Sequence, residues 1–417
     1  MKKKKVSIAI ALQQHSYKTA EVLKKNNFLN KYYTTVYYDR NSFLYKVIEK
    51  FLNYDLKIRM KNRFNQKFQG NVSKYFEFIG LIYLFLIRID TKNYILPLAR
   101  RILNYFFGKK VSKSIIKDKT DILIMYDTLA YDCFKSLNKK KSKVIKVLDM
   151  ASISASTIRD IVLKELSSDD IFKESLEIKI REYSKNLCNI YNKEIFLADY
   201  ILVACKFSKN AIVNLGVNEK KIIYLPLGVD IGNFKIKQYY NTNKKLKFLF
   251  VGRVEAAKGI YYLLEAFNNL EDYNVELIVV GKIGCSDKLL SRYNKNIKFL
   301  GIKRKEEMPD IYKDCDVYIL SSLWEGFSLS LFEALSSGLP VIASKNSCAL
   351  DLITDYKEGF VIDPTNISEL TNKMLWFCEN RDKLSYMGKN AHELAKKYSW
   401  NEYSYNLTRI INKLGES

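Results

Sequence analysis

Short apolar runs alternate along the N-terminal half of the chain with segments that have helical spacing. The apolar runs are 6–12, 122–125, 144–148 and 200–204, and the helical segments include 21–26 and 171–197. Continuous apolar runs of this length are typical of strands that are buried on both faces of a parallel sheet. Strands that alternate with helices predict a doubly wound α/β domain.

A second alternating series occupies the C-terminal half. Its apolar runs are 248–251, 276–280, 297–300, 317–320 and 341–343, and its helical segments are 260–269, 306–313 and 329–337. Ser328 is expected to cap the helix that begins at Leu329, and Gly338-Leu339-Pro340 is expected to end it. Another helix is expected from Ser399-Trp400 through Leu414. The pattern therefore predicts a second α/β domain.

The segment between the two series has the composition of a linker. It contains Pro and Gly within 226–230 and is rich in Lys and Asn within 235–245. At 417 residues the chain is too long for one ordinary hydrophobic core. We therefore expect a first domain at 1–225, a linker at 226–243 and a second domain at 244–398.

The net charge of +24 is concentrated in the first domain. Residues 1–120 contain 26 Lys and Arg against 7 Asp and Glu, a balance of +19. This asymmetry favours an anionic surface or partner. The alternative explanation is the codon bias of a proteome rich in lysine. The basic charge is not accompanied by a zinc finger, an aromatic RNA-binding strand or a helix-turn-helix pattern, so nucleic acid is not an expected partner.

An apolar segment lies at 75–88 within this basic region. It carries Glu77 and is shorter than the roughly 20 residues that a membrane span requires. It is therefore expected to be either a buried helix or an interfacial one. Docking on anionic lipid at the inner face of the cell membrane is favoured by the basic residues that flank it, which are Lys57, Arg59, Lys61, Arg63, Lys67, Arg100, Arg101, Lys109 and Lys110.

The cysteines and the N-terminus indicate a reducing, cytoplasmic location. Seven cysteines are scattered without close pairs, which argues against zinc sites, redox motifs and a disulfide framework. The lysines at 2–5 and the following apolar run imitate a signal peptide. However, the run is short and ends in Gln13-Gln14-His15 without a small-residue cleavage site. It is better interpreted as the first buried strand.

Glu325 and Glu333 lie eight positions apart, around a turn that begins a predicted helix. The free backbone N–H groups of a helix N-terminus can hold a phosphate, so the turn at 326–328 is a candidate pyrophosphate site. An ionised carboxylate accepts hydrogen bonds from the paired hydroxyls of a sugar or a ribose. The alternative interpretation is two exposed helix glutamates.

Other candidate residues follow the strands of the second domain, where ligands of open parallel sheets bind. Gly252-Arg253 follows the first strand, Gly281 the second and Gly301-Ile302 the third, while Lys258-Gly259 precedes a helix. Cations suit phosphates, and glycines let the backbone approach a planar base. Together these loops favour a nucleotide site, although each of them alone is also compatible with a solvated loop.

Residues 246–363, and more loosely 198–414, resemble the retaining family-four glycosyltransferases of the GT-B fold. The matching pieces are Phe250-Val251-Gly252-Arg253, Lys258-Gly259, 264–267, Val280-Gly281, Phe299-Leu300-Gly301, 325–344, Gly359-Phe360-Val361, the interdomain segment 226–230 and Ser399-Trp400. The resemblance implies two Rossmann-like doubly wound domains that face each other across a cleft. It also implies that the C-terminal helix, at 399–417, crosses back to the first domain.

The resemblance also implies the activity and the roles of the site residues. Arg253 and Lys258 would hold the diphosphate of a nucleotide sugar, Glu333 would bind the ribose hydroxyls, and Glu325 with the backbone of Gly326, Phe327, Ser328 and Leu329 would bind the transferred sugar and phosphate. Gly252, Gly281, Gly301 and Ile302 would complete the donor site. The implied reaction is a retaining transfer of the sugar from the nucleotide sugar to an acceptor. No metal or cofactor is expected, and the basic first domain favours a glycan or lipid-linked acceptor in bacterial cell-surface polysaccharide biosynthesis.

The N-terminal half departs from the family pattern. Gln13-Gln14 stands where the family often has a glycine pair, and Leu148-Asp149 stands where it often has a His-Asp pair. His15 follows the first strand and is the candidate for the catalytic role of the missing histidine, the alternative being a structural histidine. Asp127 and Asp149 are weaker candidates for binding acceptor hydroxyls, and His392 is expected to be structural.

Two further patterns imitate other kinds of site. Asp314-Cys315-Asp316 has the spacing of a metal-diphosphate motif but lies at the wrong end of a strand, so Asp316 is expected to be structural and no metal is expected. Gly281 and Gly284 are too close together for a dinucleotide fingerprint. The alternatives to a transferase are an epimerase or a phosphorylase of the same fold, and a non-catalytic binding protein with a vestigial donor site.

Overall fold

The computed structural model describes residues 3–12, 15–150, 152–166, 173–237, 240, 244–284, 290, 293 and 296–414. The strands of the first domain are β1 (Val6–Ala9), β2 (Leu29–Thr34), β3 (Val72–Lys74), β4 (Ile122–Tyr126), β5 (Ile145–Met150), β6 (Tyr200–Val203) and β7 (Ile222–Tyr224). Its helices are α1 (Ser16–Lys25), α2 (Phe43–Phe51), α3 (Tyr54–Lys61), α4 (Glu77–Ile89), α5 (Leu96–Lys117), α6 (Tyr131–Lys139), α7 (Ala155–Leu166), α8 (Lys173–Glu182), α9 (Lys185–Leu197) and α10 (Lys206–Val213).

The second domain has the same kind of architecture. Its strands are β8 (Leu246–Val251), β9 (Val275–Val280), β10 (Ile297–Gly301), β11 (Val317–Leu320), β12 (Val341–Ser344) and β13 (Gly359–Ile362). The helices that follow the linker are α11 (Ile260–Asn268), α12 (Met308–Asp314), α13 (Leu329–Ser336), α14 (Ala349–Leu352), α15 (Ile367–Glu379), α16 (Leu384–Lys396) and α17 (Trp400–Lys413). Short 3-10 turns lie at Gln69–Asn71, Glu219–Lys221, Ile231–Asn233, Ala256–Lys258 and Arg381–Lys383.

Both sheets are parallel and doubly wound. The strand order is β3-β2-β1-β4-β5-β6-β7 in the first sheet and β10-β9-β8-β11-β12-β13 in the second. The direction of winding reverses between β1 and β4, and again between β8 and β11. Loops at the carboxyl ends of these strands diverge from such a reversal point and leave a crevice there. The predicted α/β class with two Rossmann-like domains is confirmed.

Two helical regions link the domains. Helix α17 returns to the first domain, where Tyr403, Leu407 and Ile411 are buried in the core of its sheet. Helices α7 and α8 belong to the first domain, yet their apolar side chains share a core cluster with helix α11 of the second. A hydrogen bond of 2.5 Å from the Tyr262 hydroxyl to the Glu165 carboxylate joins α11 to α7. The cleft between the domains is therefore flanked by packed helices.

The observed elements differ from the predicted ones in a few places. The segment 171–197, of which 171 and 172 lie outside the described residues, forms two helices. The chain is extended at Ser184, and the Tyr183 carbonyl accepts a hydrogen bond of 2.9 Å from Arg159, which fixes the break between α8 and α9. Strand β1 ends at Ala9, before the end of the apolar run. Strands β2, β3 and β7 were not predicted because polar residues interrupt β2 and the other two are short.

The cysteines that the structure describes are all free thiols. Cys133, Cys188, Cys205, Cys315 and Cys348 are buried and Cys378 is partly buried, while Cys285 lies outside the described residues. Within the described residues, none of the helices is both long enough and apolar enough to cross a membrane.

Candidate functional site

The loops that follow β8, β9 and β10 are joined side by side through their backbones. The Gly252 N–H donates to the Val280 carbonyl at 2.9 Å, and the Gly281 N–H donates to the Gly301 carbonyl at 2.8 Å. Gly281 has a φ of +145°, and a Cβ atom at this position would lie 1.8 Å from the Gly252 carbonyl oxygen. Because a side chain at Gly281 would collide with backbone, this close approach of the loops requires glycine.

Lys258 connects the loop after β8 with the loop after β11. It ends the 3-10 turn Ala256–Lys258, and Gly259 follows in the left-handed region with a φ of +62°. The Ser321 hydroxyl donates to the Lys258 carbonyl at 2.9 Å, and the Lys258 ammonium donates to the Glu325 carboxylate. The backbone and the side chain of Lys258 therefore both contact the 321–325 loop.

Glu325 is held in place by several contacts besides Lys258. Its N–H donates to the Asn346 carbonyl at 2.9 Å, and its carboxylate accepts a weaker hydrogen bond of 3.3 Å from the Ser322 hydroxyl. The Asn346 amide in turn donates to the Leu323 carbonyl at 2.9 Å. Glu325 and Lys258 thus form one ion pair, whereas from the sequence alone they were two independent candidates.

Helix α13 begins as the sequence predicted. The Ser328 hydroxyl oxygen accepts a hydrogen bond from the Leu331 N–H, which confirms Ser328 as the N-cap. The ring of Phe327 stacks on Phe332 with 4.5 Å between the ring centroids. These contacts fix the first turn, so the free N–H groups of the helix N-terminus have a defined direction. The side chain of Leu329, in contrast, is exposed.

Glu333 lies one turn further along α13 and is partly buried. Its carboxylate accepts a hydrogen bond of 2.9 Å from the Tyr312 hydroxyl. Burial raises the pKa of the Glu333 carboxyl, although the Tyr312 hydrogen bond and the charge of Lys305 oppose the shift. The carboxylate keeps further acceptor positions for a diol. The motif did not predict Tyr312, because it lies on α12, outside the matching segments.

A cavity of about 760 Å³ lies between the two domains at the carboxyl ends of their sheets. The second domain contributes Arg253, Glu255, Lys282 and Gly284 to its wall. Arg253 is exposed and pairs with Glu255 at 2.9 Å. The first domain contributes, among others, Ile10, Ala11, Leu12, Asp127 and Thr128. The structure therefore places Arg253 at this cavity, and places Lys258, Glu325, Glu333 and the exposed Ile302 outside its wall.

His15 and Asp149 are brought together at the carboxyl ends of β1 and β5. His15 Nε2 lies 2.9 Å from Asp149 Oδ2, and the imidazole contacts the Tyr126 ring edge-on. Burial by itself lowers the pKa of His15, but the charge and hydrogen bond of Asp149 and the charge of Asp127 outweigh it, so the pKa is raised. The pair favours a protonated imidazole, which suits a hydrogen-bond donor better than a general base.

The loop after β4 is fixed by a residue that the sequence did not single out. The buried Glu194 carboxylate accepts backbone N–H groups from Thr128 at 2.5 Å, Ala130 at 2.8 Å and Tyr131 at 3.1 Å. The Asp127 N–H donates to the Asp149 carbonyl at 3.1 Å. These bonds hold Asp127 at the cavity wall. A glutamate in a helix more than 60 positions downstream carries no local signal of this role.

The two discounted candidates have structural contacts. The Asp316 carboxylate accepts hydrogen bonds from the Lys237 ammonium at 2.7 Å and the Lys247 N–H at 2.9 Å, which fastens the linker to the second sheet. His392 Nδ1 lies 2.6 Å from the Ser336 carbonyl at the end of α13. In the described part of the chain, no group of three or more His, Cys, Asp or Glu side chains is arranged to hold a metal ion.

Residues 233–394 match the model of the family described as glycosyl transferases group 1. An uncharacterized glycosyltransferase of Methanocaldococcus jannaschii is 24% identical over 310 residues, which cover 74% of this chain and 80% of that protein. The UDP-Gal:alpha-D-GlcNAc-diphosphoundecaprenol alpha-1,3-galactosyltransferase of Escherichia coli is 30% identical over 223 residues, 49% of this chain and 55% of that protein. The resemblance of the motifs to this family is confirmed.

The fold is also shared with solved structures. Sucrose-phosphate synthase from Thermosynechococcus elongatus superposes with a TM-score of 0.67 at 15% identity, over 99% of this chain and 100% of that one. A similarity at this identity concerns the fold alone, and it covers both domains. The chain therefore has the GT-B fold, and the match to the group 1 glycosyl transferase model lies at 233–394, within the linker and the second domain.

Proposed function

We propose that the protein transfers a sugar from a nucleoside diphosphate sugar to a hydroxyl of an acceptor in the first domain, with retention of the anomeric configuration and without a metal ion. The observation that carries this proposal is the convergence of Lys258, Glu325 and the N-terminus of α13 at neighbouring strand ends, with Arg253, on the same loop as Lys258, in the wall of the interdomain cavity.

The donor diphosphate would be held by positive groups of three kinds. Arg253 supplies a guanidinium at the cavity, Lys258 supplies an ammonium, and the first turn of α13 supplies backbone N–H groups. Negative charge grows on the phosphate as the sugar departs, and donors that are already oriented stabilise this charge more than they stabilise the ground state. Glu333, oriented by Tyr312, would bind the ribose hydroxyls.

The ion pair of Lys258 and Glu325 bears on the mechanism. A carboxylate that is paired with an ammonium is a weak nucleophile, so Glu325 is better suited to accept hydrogen bonds from the hydroxyls of the transferred sugar. The acceptor oxygen then forms the new bond to the anomeric carbon on the face from which the diphosphate leaves. The departing phosphate oxygen takes the acceptor proton. His15, whose pKa is raised by Asp149, would donate a hydrogen bond to the donor or acceptor from the first domain, although neither residue belongs to the cavity wall itself.

The first domain has a surface that suits a membrane, and we call it the α4–α5 face. It consists of apolar side chains that recur at helical spacing on the outer sides of α4 and α5 and are exposed, namely Phe78, Ile82, Phe85, Ile89, Leu98, Ile102, Tyr105 and Phe106. Apolar side chains cover the inner sides of both helices as well. Helix α5 also carries Arg100, Arg101 and several lysines, whereas α4 is apolar around most of its circumference, and a helix of that kind is normally covered by protein or lipid.

Basic residues continue the α4–α5 face along α5. They are the exposed Lys109, Lys110, Lys113 and Lys117. An apolar stripe followed by lysines is the pattern of a helix that lies at the surface of an anionic bilayer. The protein would therefore work at the cytoplasmic face of a bacterial membrane on a glycan or lipid-linked acceptor of the cell surface. The name of the Escherichia coli relative, whose acceptor sugar is carried by diphosphoundecaprenol, supports the lipid-linked form.

The donor site is tested by Glu333→Ala and Arg253→Ala. Each substitution is expected to lower kcat/KM for the donor at least tenfold, about 1.4 kcal/mol of transition-state stabilisation. The donor is first chosen from a thermal-shift panel of nucleotide sugars, and turnover is followed as release of the nucleoside diphosphate in the presence of extracted membrane lipids.

A matched control is Arg304→Ala, since Arg304 is an exposed arginine of the same domain that pairs only loosely with Glu307, at 3.8 Å. Its kcat/KM is expected to stay within twofold of wild type. Near-normal turnover of both Glu333→Ala and Arg253→Ala would contradict the assignment of the donor site.

A further inference from the structure

The interdomain cavity extends beyond the strand ends into a space between α4, α5 and α8. Its wall there includes Tyr83 and Ile87 of α4, Leu96 and Arg100 of α5, and Lys179 of α8. The donor-site residues lie in the other domain, so this part of the cavity is available to a second ligand. Its wall combines apolar side chains with charged ones, which are Asp90, Lys92, Arg100, Glu174, Lys179 and Glu182.

Arg100 and Lys179 share one carboxylate. Arg100 Nε donates to the Tyr83 hydroxyl at 2.9 Å, and Arg100 Nη2 lies 3.5 Å from Glu182 Oε1. Lys179 Nζ donates to Glu182 Oε2 at 2.9 Å. All three charged side chains are largely buried, with exposed fractions of 24% for Arg100, 17% for Lys179 and 14% for Glu182. Two partly desolvated cations on one carboxylate leave an excess of positive charge.

The neighbouring charges on this wall are engaged elsewhere. Lys92 pairs with Glu174 at 2.9 Å. Asp90 accepts backbone N–H groups from Tyr94, Ile95 and Leu96 at 2.6 to 3.0 Å, which caps the start of α5. Asp127 lies at the β4 end of the same cavity. The cluster of Arg100, Lys179 and Glu182 is therefore suited to receive an anionic group, and the planar guanidinium fits a phosphate in particular.

The cavity and the α4–α5 face are carried by the same two helices. Ile87 contributes to the cavity wall and is also 41% exposed, so it lies at the rim. Ile82, Phe85 and Ile89 lie on the outer side of the same helix, whereas Tyr83 faces the cavity. An apolar chain that leaves the cavity past Ile87 would thus continue directly along a surface that is already apolar.

We propose that the space between α4, α5 and α8 binds the phosphate or diphosphate of an amphiphilic acceptor, with Arg100 and Lys179 as its ligands and with the apolar chain running past Ile87 onto the α4–α5 face. This inference rests on the proposed transferase function, because it defines the class of acceptor for that reaction. An acceptor held in this way presents its sugar hydroxyl to the donor across the cleft.

Binding of farnesyl diphosphate, measured by calorimetry at concentrations below micelle formation, tests the site. Arg100→Gln is expected to weaken binding at least tenfold, whereas Glu182→Gln is expected to strengthen it about threefold, because this substitution removes the competing carboxylate. Farnesol lacks the diphosphate, and inorganic pyrophosphate lacks the apolar chain. Each of them is therefore expected to bind at least tenfold more weakly than farnesyl diphosphate.

The nucleoside diphosphate that stabilises the wild-type protein most serves as an internal control. Its affinity is expected to stay within twofold in both variants, which also shows that they are folded. Lys139→Gln removes an exposed cation from helix α6, which is neither in the cavity wall nor on the α4–α5 face, and is expected to leave binding of farnesyl diphosphate unchanged.

Three outcomes would overturn the proposal. They are competition between farnesyl diphosphate and the nucleoside diphosphate, weakening of farnesyl diphosphate binding by Glu182→Gln to the same extent as by Arg100→Gln, and equal binding of farnesol. Failure of the transferase proposal has a different signature, since the wild-type protein would then bind farnesyl diphosphate without binding any nucleoside diphosphate.

Discussion

The two domains share one architecture but build their halves of the cleft in different ways. In the second domain the site is made from short loops at strand ends, and glycine backbone determines its shape, as at Gly281 and Gly259. In the first domain the important side chains are held by partners far away in the sequence, such as His15 by Asp149, 134 positions later. The proposed donor half is therefore encoded locally, and the proposed acceptor half only through the tertiary fold.

Their surfaces differ as well. Most of the exposed large apolar side chains in the described part of the chain lie between residues 43 and 116, in and around α2 to α5. The second domain buries its large side chains more completely. A domain that binds a small polar nucleotide needs no apolar exterior, whereas a domain that meets an amphiphile or a bilayer does. The difference fits a division of labour between donor and acceptor.

Gly281→Ala is expected to have the largest effect, a loss of nucleotide affinity, because it disturbs the backbone that shapes the second domain's side of the cleft. The new Cβ would lie 1.8 Å from the Gly252 carbonyl oxygen at a φ of +145°, so the loops after β8 and β9 must separate. Strain of this kind costs about 1–3 kcal/mol. We expect the affinity for the nucleoside diphosphate, measured by calorimetry, to fall by about a hundredfold, which corresponds to roughly 2.7 kcal/mol.

Gly232→Ala is the matched control, since a Cβ there would meet no atom within 4 Å and the backbone does not require glycine. Its affinity is expected to equal that of wild type. If Gly281→Ala bound the nucleotide normally, the backbone at this position would not determine the shape of the donor site. The proposed contrast with a first domain held by side-chain pairs would then be wrong.

The same contrast explains what the sequence could predict. The strands β8, β9 and β11, the N-cap Ser328 and the position of Glu325 after β11 all follow from local patterns of apolar residues, glycines and capping residues. Each of these features depends on a few consecutive residues. The fold class and most of the donor half therefore follow from the amino-acid sequence alone.

The remaining features depend on pairing across the fold. Tyr312 orients Glu333 from a neighbouring helix, Glu194 fixes the loop at 127–131, and Arg100 meets Glu182 across 82 positions. No periodicity marks such partners. The apolar segment at 75–88 is likewise only partly predictable from the sequence. Its composition indicates a buried or interfacial helix, and only the packing of α4 reveals that its outer side is exposed.

Substitutions on the α4–α5 face provide the next test of the difference between the two domains. Phe85 and Leu98 are 61% and 63% exposed, and the double substitution Phe85→Ser/Leu98→Ser removes apolar area from both helices. Full burial of one such side chain contributes about 1.5–3 kcal/mol, and partial insertion contributes less. We expect partition onto phosphatidylglycerol-rich vesicles, measured by sedimentation, to fall about tenfold, and wild-type partition to fall as salt screens the lysines.

Tyr386→Ser/Tyr405→Ser is the control for this prediction, because both tyrosines are similarly exposed, at 59% and 66%, but lie outside the α4–α5 face. Vesicle partition of this variant is expected to match that of wild type. Equal losses in the two double variants would mean that the apolar surface of the first domain has no special role.

The smallest expected effect concerns the ion pair of His15 and Asp149, which joins the ends of β1 and β5 in the proposed acceptor half. The pKa of His15 is raised above 6.5 in the folded protein. Below pH 6.5 the folded and unfolded states are both protonated, and the pair contributes its full stabilisation. As the pH rises above 6.5 the unfolded state loses its proton first, and the contribution disappears once the pH passes the folded pKa.

We therefore expect His15→Gln to be less stable than wild type by about 1 kcal/mol at about pH 6, and this difference to shrink steadily towards about pH 9, as measured by chemical denaturation. Asp149→Asn removes the partner, so in that background the His15→Gln substitution is expected to lose this pH dependence. A difference that grows with pH would mean that His15 is neutral in the folded state. His15 could then act as a general base, and the acceptor half would contain a proton acceptor of its own instead of relying on the departing diphosphate of the donor half.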